Sequence, residues 1–202
     1  MVNLYTYLEI YLDDLHKRVS LSEFTRQFKK PHQTIRAHLG KLVKDKVLIE
    51  EKRLRFLYYK LNKANPLIVE YLSLCEKERT IRFMQKNALI GRLYAAIAPY
   101  LAMSKVLIFG SAVAAKEYAD IDVLIIAKDK GAAEELKRFE ETYSVKVHRV
   151  QTEERSLTTA LLEEIRKRHI ILSGHDYFIQ LLYHHELGLV QGTGNETHRA
   201  KS

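Results

Sequence analysis

One cysteine in 202 residues, Cys75, has no internal partner for a disulfide. That usage is the one expected of a reducing cytoplasm. Nor does any apolar run approach the roughly 20 residues a membrane helix needs, so no membrane span is expected. The opening stretch, MVNLYTYLEIYLDD, carries early acids and no basic segment ahead of an apolar core. A secretory signal is therefore not expected, and a cytoplasmic location is. With 47% apolar and 29% charged residues the chain has the balance of a soluble globular protein, and its length leaves room for two small domains.

A surplus of acid is also missing from one half. Residues 1–62 carry 13 Lys/Arg against 7 Asp/Glu, and 63–100 carry 6 against 3, whereas 101–155 carry 9 against 10 and 156–202 carry 5 against 5. The net charge of +8 thus lies wholly in the first hundred residues. Such a half suits a polyanion, and the other does not.

The stretch from Lys105 to Lys128, KVLIFGSAVAAKEYADIDVLIIAK, reads as strand, turn, strand. In the second strand, Asp120 and Asp122 project from one face, roughly 6.6 Å apart at about 3.3 Å rise per residue. Two carboxylates so close repel each other unless a cation lies between them, and a divalent ion with oxygen ligands answers that need. Gly110-Ser111 supplies a complementary turn: glycine lets backbone approach a phosphate, and the serine hydroxyl can donate to its oxygens. Gly110-Ser111, a short spacer and Asp120-Ile121-Asp122 together resemble the signature of the nucleotidyltransferase superfamily, most closely its minimal prokaryotic branch. The resemblance implies Asp120 and Asp122 as metal ligands and catalytic carboxylates, Gly110 and Ser111 as phosphate contacts, Mg²⁺ as the cation and a nucleoside triphosphate as ligand or substrate.

Nearer the start, residues 2–17 read as an amphipathic helix with Leu4, Leu8, Tyr11, Leu12 and Leu15 on one stripe. Ser20 or Ser22 can cap a short helix from Leu21 to Phe28, with Glu23 in its first turn. After Lys29-Lys30-Pro31 a third helix buries Ile35, Leu39, Leu42 and Val43, leaving Gln33, Ala37, Gly40, Lys41 and Lys44 opposite, flanked by Arg36. Short strands follow, Val47 to Glu50 and Phe56 to Leu61, joined by a basic turn. This order, in SEFTRQFKKPHQTIRAHLGKLVKDKVLIEEKRLRFLYYKL, resembles the winged helix-turn-helix of small prokaryotic regulators of the arsenic-repressor and multiple-antibiotic-resistance type. In that resemblance Gln33, Thr34, Arg36, Lys41 and Lys44 face the groove of double-stranded DNA, Lys52, Arg53 and Arg55 form the wing, and a homodimer reads two half-sites. Lys46 departs from the glycine that such domains often place between third helix and wing.

Asn65-Pro66 reads as a helix start, and the pattern to about Ala102 as one connecting helix, or two joined near Glu76 to Thr80, with more apolar surface than a small winged helix covers. Helices over Gly131–Tyr143, Leu157–Arg168 and Tyr177–Leu187 alternate with strands Val145–Val150 and Ile170–Leu172, as in a mixed α/β sheet domain. The expected α/β two-domain chain therefore comprises a winged helix-turn-helix at 1–64, a connecting and dimerisation helix at 65–102, a nucleotidyltransferase-like domain at 103–187 and a flexible tail at 188–202.

The third carboxylate of the resembled family is missing. On SVKVHRV the residues facing away from the core are Lys146 and His148; imidazole is a poor ligand for Mg²⁺ but acceptable to softer ions. Alternatively, His148 is a surface or hydrogen-bonded strand histidine. Glu153 and Glu154 lie just beyond the strand, Ala115 replaces a second glycine, and Ala119 a serine or threonine. His184-His185 suits a helix C-terminus, and Asp176 a helix N-terminus. Two functions follow as expectations: a DNA-binding regulator whose second domain binds nucleotide and Mg²⁺ without turnover, or an active transferase of nucleoside monophosphate to a protein or nucleic-acid acceptor. The latter resembles the antitoxin role of minimal nucleotidyltransferases, with a small helical toxin-like partner.

Overall fold

A computed structural model of the chain describes residues 4–114, 118–127, 130–152 and 157–188. The architecture is mixed α/β with two sheets, one of three strands and one of four. A 3₁₀ helix, Leu4–Tyr11, opens it. It is shorter than the amphipathic pattern predicts because the Asp14 carboxylate accepts the His16 N–H at 2.8 Å, a local bond that competes with helix. Leu8, Tyr11, Leu12 and Leu15 of the expected stripe are all buried nonetheless.

β1 (Arg18–Ser20), three residues long and too short to show a period, pairs with β3 and was not anticipated. Ser20 then caps α1 (Leu21–Phe28): its hydroxyl accepts the Glu23 N–H while the Glu23 carboxylate takes the Ser20 N–H. α2 (His32–Lys44) buries Ile35, Leu39 and Leu42 completely. Its end is closed by paired bonds, Val47 N–H to Leu42 C=O at 2.8 Å and Lys46 N–H to Val43 C=O at 3.0 Å. That closure needs a left-handed residue, and Lys46 takes it at φ 56° in place of glycine. β2 (Leu48–Arg53) and β3 (Phe56–Leu61) form an antiparallel hairpin in a sheet ordered β1-β3-β2.

The connection to the second sheet is two helices, α3 (Ile68–Lys86) and α4 (Ala88–Ile97). They divide at Asn87, whose side chain caps α4, and not near Glu76 to Thr80. Glu76 and Thr80 lie buried in mid-helix, with the Thr80 hydroxyl donating to the Ile171 carbonyl at 2.7 Å. Asn65 accepts the Leu67 N–H and donates to the Lys46 carbonyl, fastening the start of α3 to the end of α2, although the helix begins later than Asn65-Pro66 suggests.

The second sheet contains β4 (Lys105–Phe109), β5 (Asp120–Ile126), β6 (Lys146–Thr152) and β7 (His169–Ser173), in the order β6-β5-β4-β7. Only β5 and β6 run parallel, joined through α6 (Gly131–Tyr143). A single helical turn, α5 (Ser111–Ala114), follows Gly110; α7 (Thr159–Lys167) precedes β7, and α8 (His175–Leu187) follows it. Strand alternation divides the side chains. Val106, Ile108, Ile121, Val123, Ile125 and Val147 face α4 and α6, whereas Leu107, Phe109, Leu124, Ile126 and Ile171 face the other way.

That second face is continuous with the buried residues of the first sheet: one cluster runs from Tyr7 through Phe24, Leu39, Leu72 and Cys75 to Leu124, Phe178 and Leu187. The Tyr183 hydroxyl, on α8, donates to the Leu12 carbonyl across this core. Each fully buried Leu or Ile contributes about 2–3 kcal/mol, so α3 is held chiefly by its inner face. No helix among the described residues is long and apolar enough to cross a membrane.

Candidate cation site and basic surfaces

β5 and β6 are in register so that Asp120 lies opposite Lys146 and Asp122 opposite His148. Because residues two apart share a face, all four side chains emerge on one side at the strand starts, where the sheet leaves its apolar cover. The His148 Nδ1 stands 3.4 Å from Asp120 Oδ2 and 3.3 Å from Asp122 Oδ1. The three donor atoms lie within 4.8 Å of one another, closer than the backbone rise alone requires, and form a group that can hold a metal ion. Asp122 and Asp120 side chains are 25% and 31% exposed, so the group is open to solvent on one side.

Gly110 positions Asp122. At φ 74° a Cβ on residue 110 would stand 2.4 Å from Asp122 Oδ2, so the carboxylate occupies the space a side chain would fill. The glycine leaves room for this carboxylate. Ser111, the first residue of α5, is exposed, and its hydroxyl donates to Asp120 Oδ1 at 3.4 Å. The strand, turn, strand stretch thus brings Gly110, Ser111, Asp120 and Asp122 together as the spacing predicts, with one helical turn in the connection. Lys146 is exposed, and Ala119 is exposed beside Asp120. Ala115, Glu153 and Glu154 lie outside the described residues.

The basic residues fall on two exposed elements. Gln33, Arg36, Lys41 and Lys44 are exposed on α2 and Thr34 is half-buried, opposite the buried Ile35, Leu39 and Leu42. Lys52, Arg53 and Arg55 are exposed at the β2–β3 turn. Arg53 Nε donates to Glu51 at 2.7 Å, and Arg18 contacts the same carboxylate at 3.1 Å. These hydrogen bonds hold the Glu51 carboxyl down at about 2. The Arg55 guanidinium lies 5.6 Å over the Phe56 ring. Between them Leu54, left-handed at φ 54°, is 93% exposed.

The remaining ionisable candidates sit at the two ends of α8. His184 and His185 occupy the last turn of α8, as their sequence position suggests, and Asp176 its first. A groove of about 500 Å³, bordered by Tyr7, Phe28, Lys30 and Arg82, contains none of the residues of the cation group or the basic surfaces. Sequence reasoning missed Glu76 and His169, which meet in the core between α3 and β7; the position of Glu76 seven residues after Val69 and four after Leu72, on the apolar stripe of the helix, was the available signal. The sequence matches no family model and no curated protein.

Proposed function

We propose that the protein is a DNA-binding regulator in which a winged helix-turn-helix, with α2 as the groove-facing helix and the β2–β3 hairpin as the wing, is joined to a nucleotidyltransferase-like sheet domain. The observation carrying this reading is the division of α2. Its inner face is sealed by Ile35, Leu39 and Leu42, and its exposed face presents Gln33, Arg36, Lys41 and Lys44. A polar outer face is ordinary for a surface helix, but this one carries no Asp or Glu from His32 to Lys44, and phosphates and base edges recruit Lys, Arg and amides. The protein acts as a cytoplasmic homodimer on two half-sites, as two-fold symmetry favours. At the other sheet, Asp120 and Asp122 hold a divalent cation, Mg²⁺ in the resembled superfamily, with Ser111 beside it for the phosphates of a nucleoside triphosphate.

Fluorescence anisotropy with labelled duplex DNA over a salt series tests the reading. Affinity falls steeply with salt, and Arg36→Ala and Lys41→Ala each flatten the log–log slope by about 1 if they contact phosphate, or cost about 1–3 kcal/mol if they contact a base. Unchanged affinity and slope in both variants overturns it.

Convergence of Gly110, Ser111, Asp120 and Asp122 favours a second reading, transfer of a nucleoside monophosphate to a protein or nucleic-acid acceptor, with a small helical partner. Against it, the position nearest the acidic pair on β6 is an imidazole and not a carboxylate. Incubation with labelled triphosphate and Mg²⁺ or Mn²⁺ separates the two: transfer that disappears in Asp122→Ala establishes the enzyme.

A further inference from the structure

We infer that Asp120, Asp122 and His148 form a single-ion site for Zn²⁺, with three protein ligands and one open position, and that His148 sets this choice over Mg²⁺. The inference rests on reading the acidic pair as a cation site and is independent of DNA binding. Donor chemistry is the first support. Mg²⁺ takes oxygen ligands and keeps its waters, whereas imidazole suits Zn²⁺ and its neighbours, and a set of two carboxylates with one imidazole is a mixed N/O set of the zinc type.

Spacing is the second support. Ligands about 2.0–2.2 Å from a tetrahedral ion stand about 3.3–3.6 Å apart, while those about 2.0–2.1 Å from an octahedral Mg²⁺ stand about 2.8–3.0 Å apart. The separations from His148 Nδ1 are 3.4 Å to Asp120 Oδ2 and 3.3 Å to Asp122 Oδ1. Both lie in the tetrahedral range; the His148–Asp122 separation is that of a hydrogen bond which an ion would replace, and the two carboxylates lie within 4.8 Å of each other. Asp120 accepts from Ser111, and Asp122 fills the space that a side chain at Gly110 would take.

Charge is the third. Two carboxylates and a neutral imidazole balance one divalent ion, and the exposed ammonium of Lys146, across from Asp120, disfavours a second. The outward side of the group is open, leaving the fourth position to water or to an oxygen of an anionic ligand such as phosphate.

The test is titration of the chelator-treated full chain with Co²⁺, whose four-coordinate complexes absorb strongly in the visible and whose six-coordinate ones are pale. The expected result is one Co²⁺ per chain with the strong band, displaced by an equivalent of Zn²⁺ and not by a hundredfold excess of Mg²⁺. His148→Ala and Asp122→Asn weaken binding at least tenfold with unchanged circular dichroism. His148→Asp narrows the Zn²⁺-to-Mg²⁺ preference at least tenfold, and His184→Ala/His185→Ala leaves the band intact. A pale complex, no stoichiometric binding, effective competition by Mg²⁺, a band surviving His148→Ala, or a preference unmoved by His148→Asp each overturns the assignment. DNA affinity measured with Zn²⁺ chelated reports separately on the α2 reading.

Discussion

Replacing Glu76 by Gln is the most severe single test of how the core is held together. The carboxylate is fully buried, 2.9 Å from Arg79 Nη1 and 3.3 Å from His169 Nε2, and the His169 Nδ1 donates to the Ile165 carbonyl at 2.8 Å. Glu9 continues the chain of charges, contacting Arg82 and, at 4.0 Å, Arg79. Burial alone would push the Glu76 carboxyl up; the charges and hydrogen bonds of Arg79 and His169 outweigh it and hold the group below its ordinary 4.5. At an effective dielectric of about 20, the Arg79 contact is worth about 6 kcal/mol in Coulomb energy, most of it offset by desolvation.

Glu76→Gln keeps the shape and deletes the charge, so Arg79 retains only Glu9 and the buried His169 faces no anion. Leaving one side of a buried pair uncompensated costs about 3–5 kcal/mol, against about 5–15 kcal/mol for a typical domain's whole stability. Urea denaturation at pH 7, followed by circular dichroism, reads the loss. Combined with His169→Gln, a double-mutant cycle should show coupling of about 1–3 kcal/mol. Because the folded carboxyl is depressed, its contribution is present above pH 4.5 and lost as pH falls through the lower folded value. Wild type and variant should therefore converge in acid. A loss under 1 kcal/mol at pH 7, or a gap that does not narrow as the pH falls below 4.5, refutes the reasoning.

His175, where burial lowers the ring's pKa from 6.5 to about 4, stays neutral in the fold while the unfolded chain takes a proton, so stability should fall by about 2–3 kcal/mol between pH 6.5 and 4; thermal melts of His175→Gln should lack that limb. Gly110→Ala strains φ by about 1 kcal/mol and drives Asp122 from its seat, so denaturation should show the small loss and Co²⁺ titration at least a tenfold weaker site. Lys46→Gly removes a left-handed side chain from the α2 closure and should raise the urea midpoint by about 1 kcal/mol equivalent. Burial pushes the Cys75 thiol up, and a thiol reagent should label it only as the protein unfolds.

The elements visible in advance were those whose signals are local. α1 was legible from Ser20 and Glu23, α2 from its buried stripe, and α6 from Leu136 and Phe139 between Gly131 and Tyr143. α1 required a cap, and α2 and α6 only a period. β1 was not, since Arg18–Ser20 is a strand only because β3 lies beside it. The opening helix was overextended because apolar spacing records burial, which Leu12 and Leu15 do show, whereas the Asp14 side chain decides where the helical backbone stops. The junction of α3 and α4 was misplaced for a related reason. Glu76 and Arg79 look like a polar break in sequence, and only the presence of His169 on β7 makes a buried helix interior of them.

The cation group divides along the same line. Asp120 and Asp122 were legible because a period of two puts both on one face, and their neighbours Gly110 and Ser111 are near in sequence. In sequence His148 reads either as a surface histidine or as a ligand for softer ions, because its role depends on the parallel register of β5 and β6, which places it opposite Asp122 and Lys146 opposite Asp120. A shift of one residue would turn His148 into the apolar layer and Val147 toward the carboxylates. That register is fixed by Val147, buried with Ile121 and Val123 against α6. The apolar face of β6 thus determines whether the acidic pair meets an imidazole. Ligand chemistry at this site is consequently a property of core packing on the opposite side of the sheet.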